Sequence, residues 1–534
     1  MKHSHILSIF LAAIAKAAPF SRGDTNATDS LTIATLTGVF TGALSDEYPN
    51  VREFRSIPYA QPPIGDRRWL PPLALEPSGR HFYSLRYPAS CPQYLTTHPS
   101  LWNANITDFA IGTRGQSLLA GVQAQTSSED CLSLAIWAPQ PNGSTTGLLP
   151  VAVFLPGGDF QAGGVDVPYQ MPAPLVSRRG DLIVVTLNYR LNIFGFPNAA
   201  GLHDQNLGIL DQRMATEWLH ANIKAFGGDP DRMVLWGQSA GAVAADINNY
   251  AFYDNPLVAG YYLMSGTAAV AGVKADPLYS NFSFVAQNVG CDFGTGTSRD
   301  PDAELACMRR VPADLLTNFL GHYAENATKP AIGFRPVPDE RVYFANYSAR
   351  AAGGFIADRP ALVSTTANED AGLYTYPASN LTEGPYMPAV DKGTLSVFVC
   401  PAANTTRWRG ALPGRTTYRY QYAGNFSSVT PFTWMGAYHA SDIPMVFGTL
   451  SRRPEDERTP FQEEVSATME DHFAAFLNDP ENGLRARGWL PDDGNINGGY
   501  MMRFAAGSTL QKGINSLEVD GACYGQGTYN HSPQ

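Results

Sequence analysis

Charge is scarce in this chain of 534 residues: charged side chains make up 16%, and 37 Lys and Arg face 48 Asp and Glu. The formal net charge of −11 argues against a surface that binds phosphates, so we expect no nucleic-acid partner. The sequence has no His-Glu-x-x-His motif and no clustered Cys and His at ligand spacing, so no metal site is predicted. It also lacks a glycine-rich phosphate loop, and we expect no cofactor.

Long hydrophobic runs are missing as well. No stretch beyond the N-terminus reaches about 18 apolar residues, so no integral membrane segment is predicted. The N-terminus is typical of a secretory signal peptide, because Lys2 precedes an apolar run at residues 6–14 and residues 15–17 (Ala-Lys-Ala) fit a cleavage site. We expect residues 1–17 to be removed and the protein to be secreted. No repeat or long linker interrupts residues 18–534, which are predicted to form one domain.

Cysteine is rare but even in number, which in an exported chain indicates disulfides and leaves their pairing open. The six are Cys91, Cys131, Cys291, Cys307, Cys400 and Cys523.

Asn-x-Ser/Thr sequons are numerous enough to predict a glycosylated surface and a eukaryotic source. They begin at Asn26, Asn105, Asn142, Asn281, Asn326, Asn346, Asn380, Asn404, Asn425 and Asn530.

Short apolar runs alternate with helical patterns in the middle of the chain. The runs predict buried parallel strands at residues 151–155, 182–187, 233–236, 261–264 and 361–363. Apolar residues at helical spacing predict a helix over residues 211–226, which ends at a Gly-Gly pair. Another helix is predicted over residues 461–477. The strand–helix–strand order predicts the α/β class, with a parallel sheet covered by helices.

Residues 237–241 read Gly-Gln-Ser-Ala-Gly between a predicted strand and a predicted helix. A tight turn in this context holds the serine in a strained conformation and exposes its hydroxyl at the carboxyl edge of the sheet. Ser239 is therefore the candidate nucleophile, with an ordinary glycine-rich turn as the alternative. A serine hydroxyl needs a base, and in the α/β-hydrolase order an acid and then a histidine follow it. The histidines that follow are His322, His439, His472 and His531, and periodicity does not choose among them.

Several blocks between residues 54 and 448 resemble, in order, the type-B carboxylesterase, cholinesterase and lipase family. They include Phe-Arg-Ser-Ile-Pro-Tyr-Ala-Gln-Pro-Pro at 54–63, Ser-Glu-Asp-Cys-Leu at 128–132, Asn-Tyr-Arg at 188–190 and Phe-Gly-Gly-Asp-Pro at 226–230. The resemblance implies an α/β-hydrolase fold, a central mostly parallel sheet flanked by helices. It also implies a flap loop over the active-site gorge, as in fungal lipases of this family. The disulfides it implies are Cys91–Cys131, Cys291–Cys307 and Cys400–Cys523.

The resemblance also selects the partners of Ser239. Residues 436–442 (Gly-Ala-Tyr-His-Ala-Ser-Asp) resemble the block of the family that carries the catalytic histidine, which makes His439 the expected base. The expected acid is Glu369, at the end of a strand, with Asp370 as the alternative because the glycine usual in the family is missing there. Asp442 is expected to be a local ion-pair partner.

The oxyanion hole is expected to use backbone N–H groups. Ala240 follows the nucleophile, and residues 156–160 (Pro-Gly-Gly-Asp-Phe) resemble the glycine-rich loop of the family, so Gly158 and Asp159 are the other expected donors. Asp159 is unusual, because the family commonly has Gly or Ala there. A carboxylate roughly 6 Å from the oxyanion would oppose it by a few kcal/mol, so we expect this side chain to point away and to be hydrogen-bonded.

The resemblance implies a secreted serine carboxylic ester hydrolase, similar to fungal carboxylesterases, that works through a Ser-His-Glu triad and an acyl-enzyme. The expected partner is a small-molecule or lipid ester. Three alternatives stay open: a lipase acting on long-chain acylglycerols, a dedicated esterase or acyltransferase of secondary metabolism, and a non-catalytic cholinesterase-like binding protein. Trp102 resembles the cationic-ligand tryptophan of cholinesterases, but Gln238 stands where they carry Glu, so we expect a packing role for Trp102.

Overall fold

The computed structural model describes residues 29–96, 98, 100–110, 127–141, 147–270, 276–294, 298–374, 380–450 and 458–534. Its strands are β1 (Thr32–Ala34), β2 (Val39–Thr41), β3 (Ala43–Leu44), β4 (Val51–Pro58), β5 (His81–Tyr83), β6 (Ser133–Pro139), β7 (Leu149–Leu155), β8 (Ile183–Leu187), β9 (Gly228–Gln238), β10 (Gly260–Met264), β11 (Ala361–Thr366), β12 (Thr417–Tyr422), β13 (Tyr500–Ala506) and β14 (Thr509–Asn515). The expected signal peptide lies outside the described residues.

The α-helices follow the same chain order. They are α1 (Leu101–Ala104), α2 (Ala173–Arg179), α3 (Asn192–Gly195), α4 (Leu207–Asn222), α5 (Ala240–Ala251), α6 (Ser280–Asn288), α7 (Pro301–Met308), α8 (Ala313–Glu325), α9 (Tyr347–Ala352), α10 (Met387–Gly393), α11 (Cys400–Gly410), α12 (Ile443–Phe447), α13 (Pro460–Asn478) and α14 (Leu517–Asp520). A π-helix, Thr394–Val399, joins α10 to α11. Of the helices described, none is long and apolar enough to cross a membrane.

Within the described residues, one eleven-stranded sheet has the strand order β14-β13-β12-β11-β10-β9-β7-β8-β6-β4-β3. Neighbouring strands are parallel throughout the central part of the sheet, β13-β12-β11-β10-β9-β7-β8. At one edge β14 pairs antiparallel with β13, and at the other edge β6, β4 and β3 continue the sheet from β8 with antiparallel pairing. A separate small sheet contains β1, β2 and β5. The predicted mostly parallel sheet is therefore confirmed.

Both faces of the large sheet are buried, as β7 illustrates. Val151, Val153 and Leu155 belong to one hydrophobic cluster, which also contains residues of α4 and α5. Ala152 and Phe154 belong to a second cluster, to which α13 contributes. Because successive side chains of a strand point to opposite faces, helices cover the sheet on both sides.

The strands predicted from apolar runs are all present, and most extend further than the runs. The largest difference is β9, which begins at Gly228, five residues before the predicted start. Gly228 pairs with Leu149 of β7, so backbone hydrogen bonding extends this strand through polar residues that an apolar pattern cannot reveal. The helix predicted over 211–226 is α4 followed by a 3₁₀ turn, Ile223–Phe226, and the helix predicted over 461–477 is α13.

The disulfide pairs in the structure are those that the resemblance implied. They are Cys91–Cys131, Cys291–Cys307 and Cys400–Cys523. Part of the expected flap, between the first two cysteines, lies outside the described residues.

The exposed sequon asparagines are Asn326, Asn346, Asn380, Asn425 and Asn530, and the half-buried ones are Asn105, Asn281 and Asn404. Asn26 and Asn142 lie outside the described residues.

Candidate active site

Ser239 stands in the turn between β9 and α5. Its φ of 56° and ψ of −125° place a non-glycine residue in a strained conformation. The turn requires its two flanking glycines: a Cβ on Gly237 would lie 2.2 Å from the carbonyl oxygen of Gly241, and one on Gly241 would lie 1.9 Å from that of Leu155. The serine is half-buried and lines a cavity, so its hydroxyl is within reach of a ligand.

His439 and Glu369 form a buried hydrogen-bonded pair. The Nδ1 of His439 lies 2.6 Å from Oε2 of Glu369, and the glutamate is fully buried. The other carboxylate oxygen, Oε1, accepts a 2.7 Å hydrogen bond from the backbone N–H of Thr366, at the end of β11. With the carboxylate bound to Nδ1–H, the imidazole presents an unprotonated Nε2 on its other side, as a general base requires.

Backbone hydrogen bonds tie the loop that carries the glutamate to the loop that carries the histidine. The N–H of Asn368 donates to Ala437 O at 2.8 Å, and the N–H of His439 donates to Glu369 O at 3.2 Å. The Asn368 side-chain amide donates to Met435 O at 2.9 Å. These bonds fix the relative position of two residues that are 70 positions apart in sequence.

Two other carboxyl groups lie near the pair. Burial raises the pKa of Asp370 to about 6, which Glu369 also favours and His439 opposes. A Cβ on Gly393 would meet the Asp370 carboxylate at 1.9 Å, so that side chain lies against α10 and not at the imidazole nitrogen. Burial, and then the charge of Glu369, raises the pKa of Asp442 to about 7.

The expectation for Asp442 is corrected by its surroundings. Its Oδ2 accepts a 3.0 Å hydrogen bond from the Tyr420 hydroxyl, and the Tyr262 hydroxyl lies 2.7 Å from that of Tyr420. Asp442 forms no ion pair with any residue that the structure describes. The carboxyl group is fully buried among hydroxyl groups and tyrosine rings, so it is a hydrogen-bond acceptor without a cation.

The backbone N–H groups of Gly158, Asp159 and Ala240 are free in the described part of the chain, since none donates to a protein acceptor there. All three residues line the same cavity as Ser239. Ala240 is the first residue of α5, so the positive end of the helix dipole adds to its N–H. Unpaired donors beside a nucleophile are the arrangement that stabilises a developing oxyanion.

The Asp159 side chain is paired, as expected from the sequence. Arg335 donates from Nε to Oδ1 at 2.8 Å and from Nη2 to Oδ2, which makes the contact bidentate. Both side chains remain partly exposed, at 46% for Arg335 and 62% for Asp159. The pairing leaves the backbone N–H of Asp159 free while its carboxylate binds a guanidinium.

His439 Nε2 is hydrogen-bonded in the described structure to the amide of Gln238, at 3.2 Å. No hydrogen bond joins Nε2 to Ser239 in the part of the chain that the structure describes. Catalytic hydrogen bonds are often open before substrate binds, so the geometry is compatible with a base that closes on the serine later. The Phe398 ring packs beside the imidazole ring, at 4.8 Å from centre to centre.

The cavity has a volume of about 990 Å³ and lies at the carboxyl edge of the sheet. It is lined by Trp102 and Phe109, whose rings pack edge to face at 5.7 Å, and by Leu373, Val397 and Phe398. Trp102 also donates from Nε1 to Gly372 O at 3.1 Å. Trp102 therefore packs, as expected, and lines the cavity as well.

Most of the residues selected from the sequence meet at this cavity. Ser239, His439, Gly158, Asp159 and Ala240 line it, and Glu369 lies behind the histidine. The other candidate histidines bind elsewhere: His322 contacts Tyr94 and Glu325, His472 contacts Gln511, and His531 contacts Asp391. In the residues that the structure describes, no group of three His, Cys, Asp or Glu side chains is arranged to hold a metal ion.

Sequence reasoning missed Arg335 and the contact of Gln238 with His439. Arg335 lies 176 positions from Asp159 in a segment without regular secondary structure, and no local pattern marks it. Gln238 stands inside the Gly-Gln-Ser-Ala-Gly motif, but its contact with His439 depends on how two distant loops meet. The sequence marked Gln238 only as a difference from cholinesterases, and nothing in it indicates this contact.

The carboxylesterase family model matches residues 29–387. The chain is 36% identical over 550 residues to secreted lipase 5 of Gibberella zeae, covering 98% of this chain and 99% of that protein. It is 38% identical over 462 residues to the chlorogenic acid esterase of Aspergillus niger, covering 86% of this chain and 85% of that protein. The chain thus belongs to the carboxylesterase family, and it is a carboxylic ester hydrolase.

Two solved structures share the fold. A thermophilic PNB esterase superposes with a TM-score of 0.72 at 23% identity, covering 92% of this chain and 98% of its own. A second PNB esterase structure gives a TM-score of 0.73 at 22% identity, with the same coverage. The architecture is therefore the α/β-hydrolase fold.

Proposed function

We propose that the protein hydrolyses carboxylic esters through a Ser239–His439–Glu369 triad and an acyl-enzyme. One observation carries the proposal: His439 hydrogen-bonds a fully buried Glu369 at 2.6 Å, while the imidazole and the strained Ser239 line one cavity. A carboxylate in that place orients the ring and stabilises the imidazolium that forms during the reaction. The non-catalytic alternative is disfavoured, because all the chemical groups of the triad are present.

The reaction proceeds in two halves. In the first, His439 Nε2 accepts the hydroxyl proton of Ser239 while Oγ attacks the ester carbonyl carbon, and the proton then passes to the departing alkoxide. In the second, Nε2 accepts a proton from water while the water oxygen attacks the acyl-serine, and Nε2 then returns that proton to the departing Ser239 Oγ as the acid is released. The free N–H groups of Gly158, Asp159 and Ala240 support the negative oxygen in both halves, and removing one such donor typically costs about 3 kcal/mol.

For the substrate, we propose a small-molecule ester that fills a cavity of about 990 Å³. A relative named chlorogenic acid esterase supports this choice, as do the aromatic side chains of Trp102 and Phe109 in the wall. The second candidate is a lipase activity on long-chain acylglycerols. It is supported by the relative named secreted lipase 5 and by Leu373 and Val397, which are 48% and 37% exposed where they line the cavity.

We also propose that the protein is secreted after removal of residues 1–17, and that residues 18–534 form one glycosylated domain. A relative named secreted lipase 5, which matches 98% of this chain, supports export. Three disulfides support an oxidising compartment. Sequencing the N-terminus of the protein recovered from culture medium tests this, and a mature chain that begins with Ala18 is expected.

Hydrolysis of p-nitrophenyl esters from short to long acyl chains tests the function. The wild type is expected to be active and Ser239→Ala to lose at least about 1,000-fold in kcat. A rise in activity above the solubility limit of the long-chain esters favours the lipase, and a short-chain optimum favours the small-molecule esterase. Equal activity of the two proteins contradicts the assignment of Ser239.

A further inference from the structure

The loop that follows β7 is unusual in its backbone. Gly158, Asp159 and Phe160 have φ values of 109°, 56° and 59°, so three consecutive residues lie in the left-handed region, two of them not glycine. Such residues persist only where the surrounding structure holds them. This loop carries two of the three N–H groups of the proposed oxyanion hole. The contacts that stabilise its conformation therefore affect catalysis.

A second segment, residues 331–337, supports this loop. The Gln161 side-chain amide donates to Phe334 O at 2.6 Å, and Arg335 makes its bidentate contact with Asp159 one residue further on. A third contact comes from the Cys91–Cys131 loop, where the Gln93 side chain exchanges hydrogen bonds of 3.0 and 2.9 Å with the backbone of Gly163. Among these contacts, the one with Arg335 is ionic and acts on an oxyanion-loop residue itself.

The charge of Asp159 matters because of where it stands. Among the described residues that line the cavity, the carboxylates are Asp159 and Asp276, and the permanent cation is Arg335. Asp276 accepts from Ser280 Oγ at 2.9 Å and from Asn281 N at 2.8 Å, so it is bound to its own helix start. Without Arg335, the cavity would hold an uncompensated negative charge on a residue whose own backbone N–H is a proposed oxyanion donor.

We propose that Arg335 is a positioning residue for ester hydrolysis: it holds the Asp159 carboxylate on its own side of the cavity and cancels its charge beside the oxyanion hole. The inference rests on the proposed function of the 158–159 loop. The hydrogen bonds to Asp159 raise the pKa of the Arg335 guanidinium, so it is a cation at neutral pH. Arg335 touches no reacting atom, and its whole effect passes through Asp159.

A role of this kind affects the transition state more than the bound ester. The substrate carbonyl is neutral, whereas the tetrahedral intermediate carries a negative oxygen, so an unpaired Asp159 opposes the intermediate selectively. Arg335→Ala is therefore expected to lower kcat about 10- to 100-fold and to change KM less than about threefold. Binding of a trifluoromethyl ketone, which forms an anionic adduct with an active-site serine, is expected to weaken in parallel with kcat/KM.

The test is a double-mutant cycle of the full-length enzyme on one p-nitrophenyl ester: wild type, Arg335→Ala, Asp159→Asn and the double variant. Because Asn carries no charge, Arg335→Ala in the Asp159→Asn background is expected to change kcat less than about threefold. Arg335→Lys keeps the charge and is expected to recover most of the lost kcat. Arg341→Ala is the matched control, since Arg341 is 53% exposed, pairs with Asp204 at 2.8 Å and does not line the cavity.

Two results overturn the inference: a kcat of Arg335→Ala equal to that of Arg341→Ala, or the same loss from Arg335→Ala in both Asp159 backgrounds. Thermal unfolding of each variant shows whether the fold is retained. Ser239→Ala, measured beside them, separates the two proposals. If it keeps wild-type activity, the proposed function fails; if it is inactive while Arg335→Ala keeps full kcat, only the role of Arg335 fails.

Discussion

Glu369 Oε2 lies 2.6 Å from His439 Nδ1, and neither Asp370 nor Asp442 makes a hydrogen bond to that imidazole in the described structure. In sequence, Asp370 directly follows Glu369, and Asp442 comes three residues after His439. The surroundings of the three carboxyl groups nevertheless differ. Glu369 is bound by an imidazole and by a backbone N–H. Asp370 lies against Gly393, and Asp442 lies against the hydroxyl of Tyr420.

This arrangement predicts that Glu369→Gln lowers kcat about 1,000-fold or more, because an amide stabilises neither the correct tautomer nor the imidazolium. Asp370→Asn is the matched control, with an expected change of less than about threefold, since its side chain makes no contact with the imidazole nitrogen. Steady-state kinetics on a p-nitrophenyl ester measures both. The reverse order of effects would make Asp370 the acid.

The fully buried Asp442 predicts a dependence of stability on pH. Its folded-state pKa of about 7 lies above the unfolded value, so between about pH 4 and pH 7 the unfolded chain loses a proton that the folded protein keeps. The contribution of Asp442 to the free energy of unfolding therefore falls as pH rises through that range, by up to about 4 kcal/mol. Asp442→Asn removes the effect.

Urea unfolding of the wild type and of Asp442→Asn at pH 4.5 and pH 7.5 measures this difference. The variant is expected to gain stability relative to the wild type at the higher pH, since Asn still offers an oxygen to Tyr420. An identical pH dependence in both proteins would mean that the Asp442 carboxyl group does not stay protonated in the fold up to about pH 7.

The sequons predict an uneven pattern of glycosylation. Asn281 lines the cavity, and its side-chain nitrogen donates to Gly333 O at 3.1 Å, so a glycan on that nitrogen would replace an existing contact. Asn326, Asn380 and Asn425 are exposed. Glycopeptide mapping of the secreted protein is expected to find Asn281 unmodified and these three modified. A fully occupied Asn281 would contradict its placement in the cavity wall.

The C-terminal segment is predicted to support the acid. The Tyr529 hydroxyl donates to Ala367 O at 2.8 Å, two residues before Glu369, and accepts from the Gln421 side chain at 3.4 Å. Tyr529→Phe leaves this buried carbonyl without its donor and is expected to cost about 1–3 kcal/mol of stability. Tyr524→Phe is the control, because Tyr524 is a half-buried tyrosine of the same C-terminal segment that makes no hydrogen bond to Ala367 in the described structure. Equal unfolding free energies of the two variants would contradict the proposed support of the Glu369 loop by Tyr529.

Some residues of the site could be predicted from local sequence patterns, others only from family resemblance, and some not at all. The Gly-x-Ser-x-Gly motif marks Ser239 because a strained turn needs glycines at fixed offsets, and β9 and α5 surround it as expected. His439 and Glu369 could be selected only through family resemblance, since the contact between them spans 70 residues and leaves no periodic pattern. The ion pair expected for Asp442 was wrong, because a sequence does not show which side chains face a buried carboxylate. Arg335 was missed because a sequence does not show which distant side chain binds the Asp159 carboxylate.

Mapping of the covalent adduct formed with a fluorophosphonate tests the central claim most directly, because this reagent modifies an activated serine and mimics the tetrahedral intermediate. Intact mass and peptide mapping are expected to find one adduct on Ser239 in the wild type, formed at least about 100-fold more slowly in His439→Ala. Modification at a different residue, or an equal rate in the two proteins, would contradict the assignment of Ser239 as a nucleophile activated by His439.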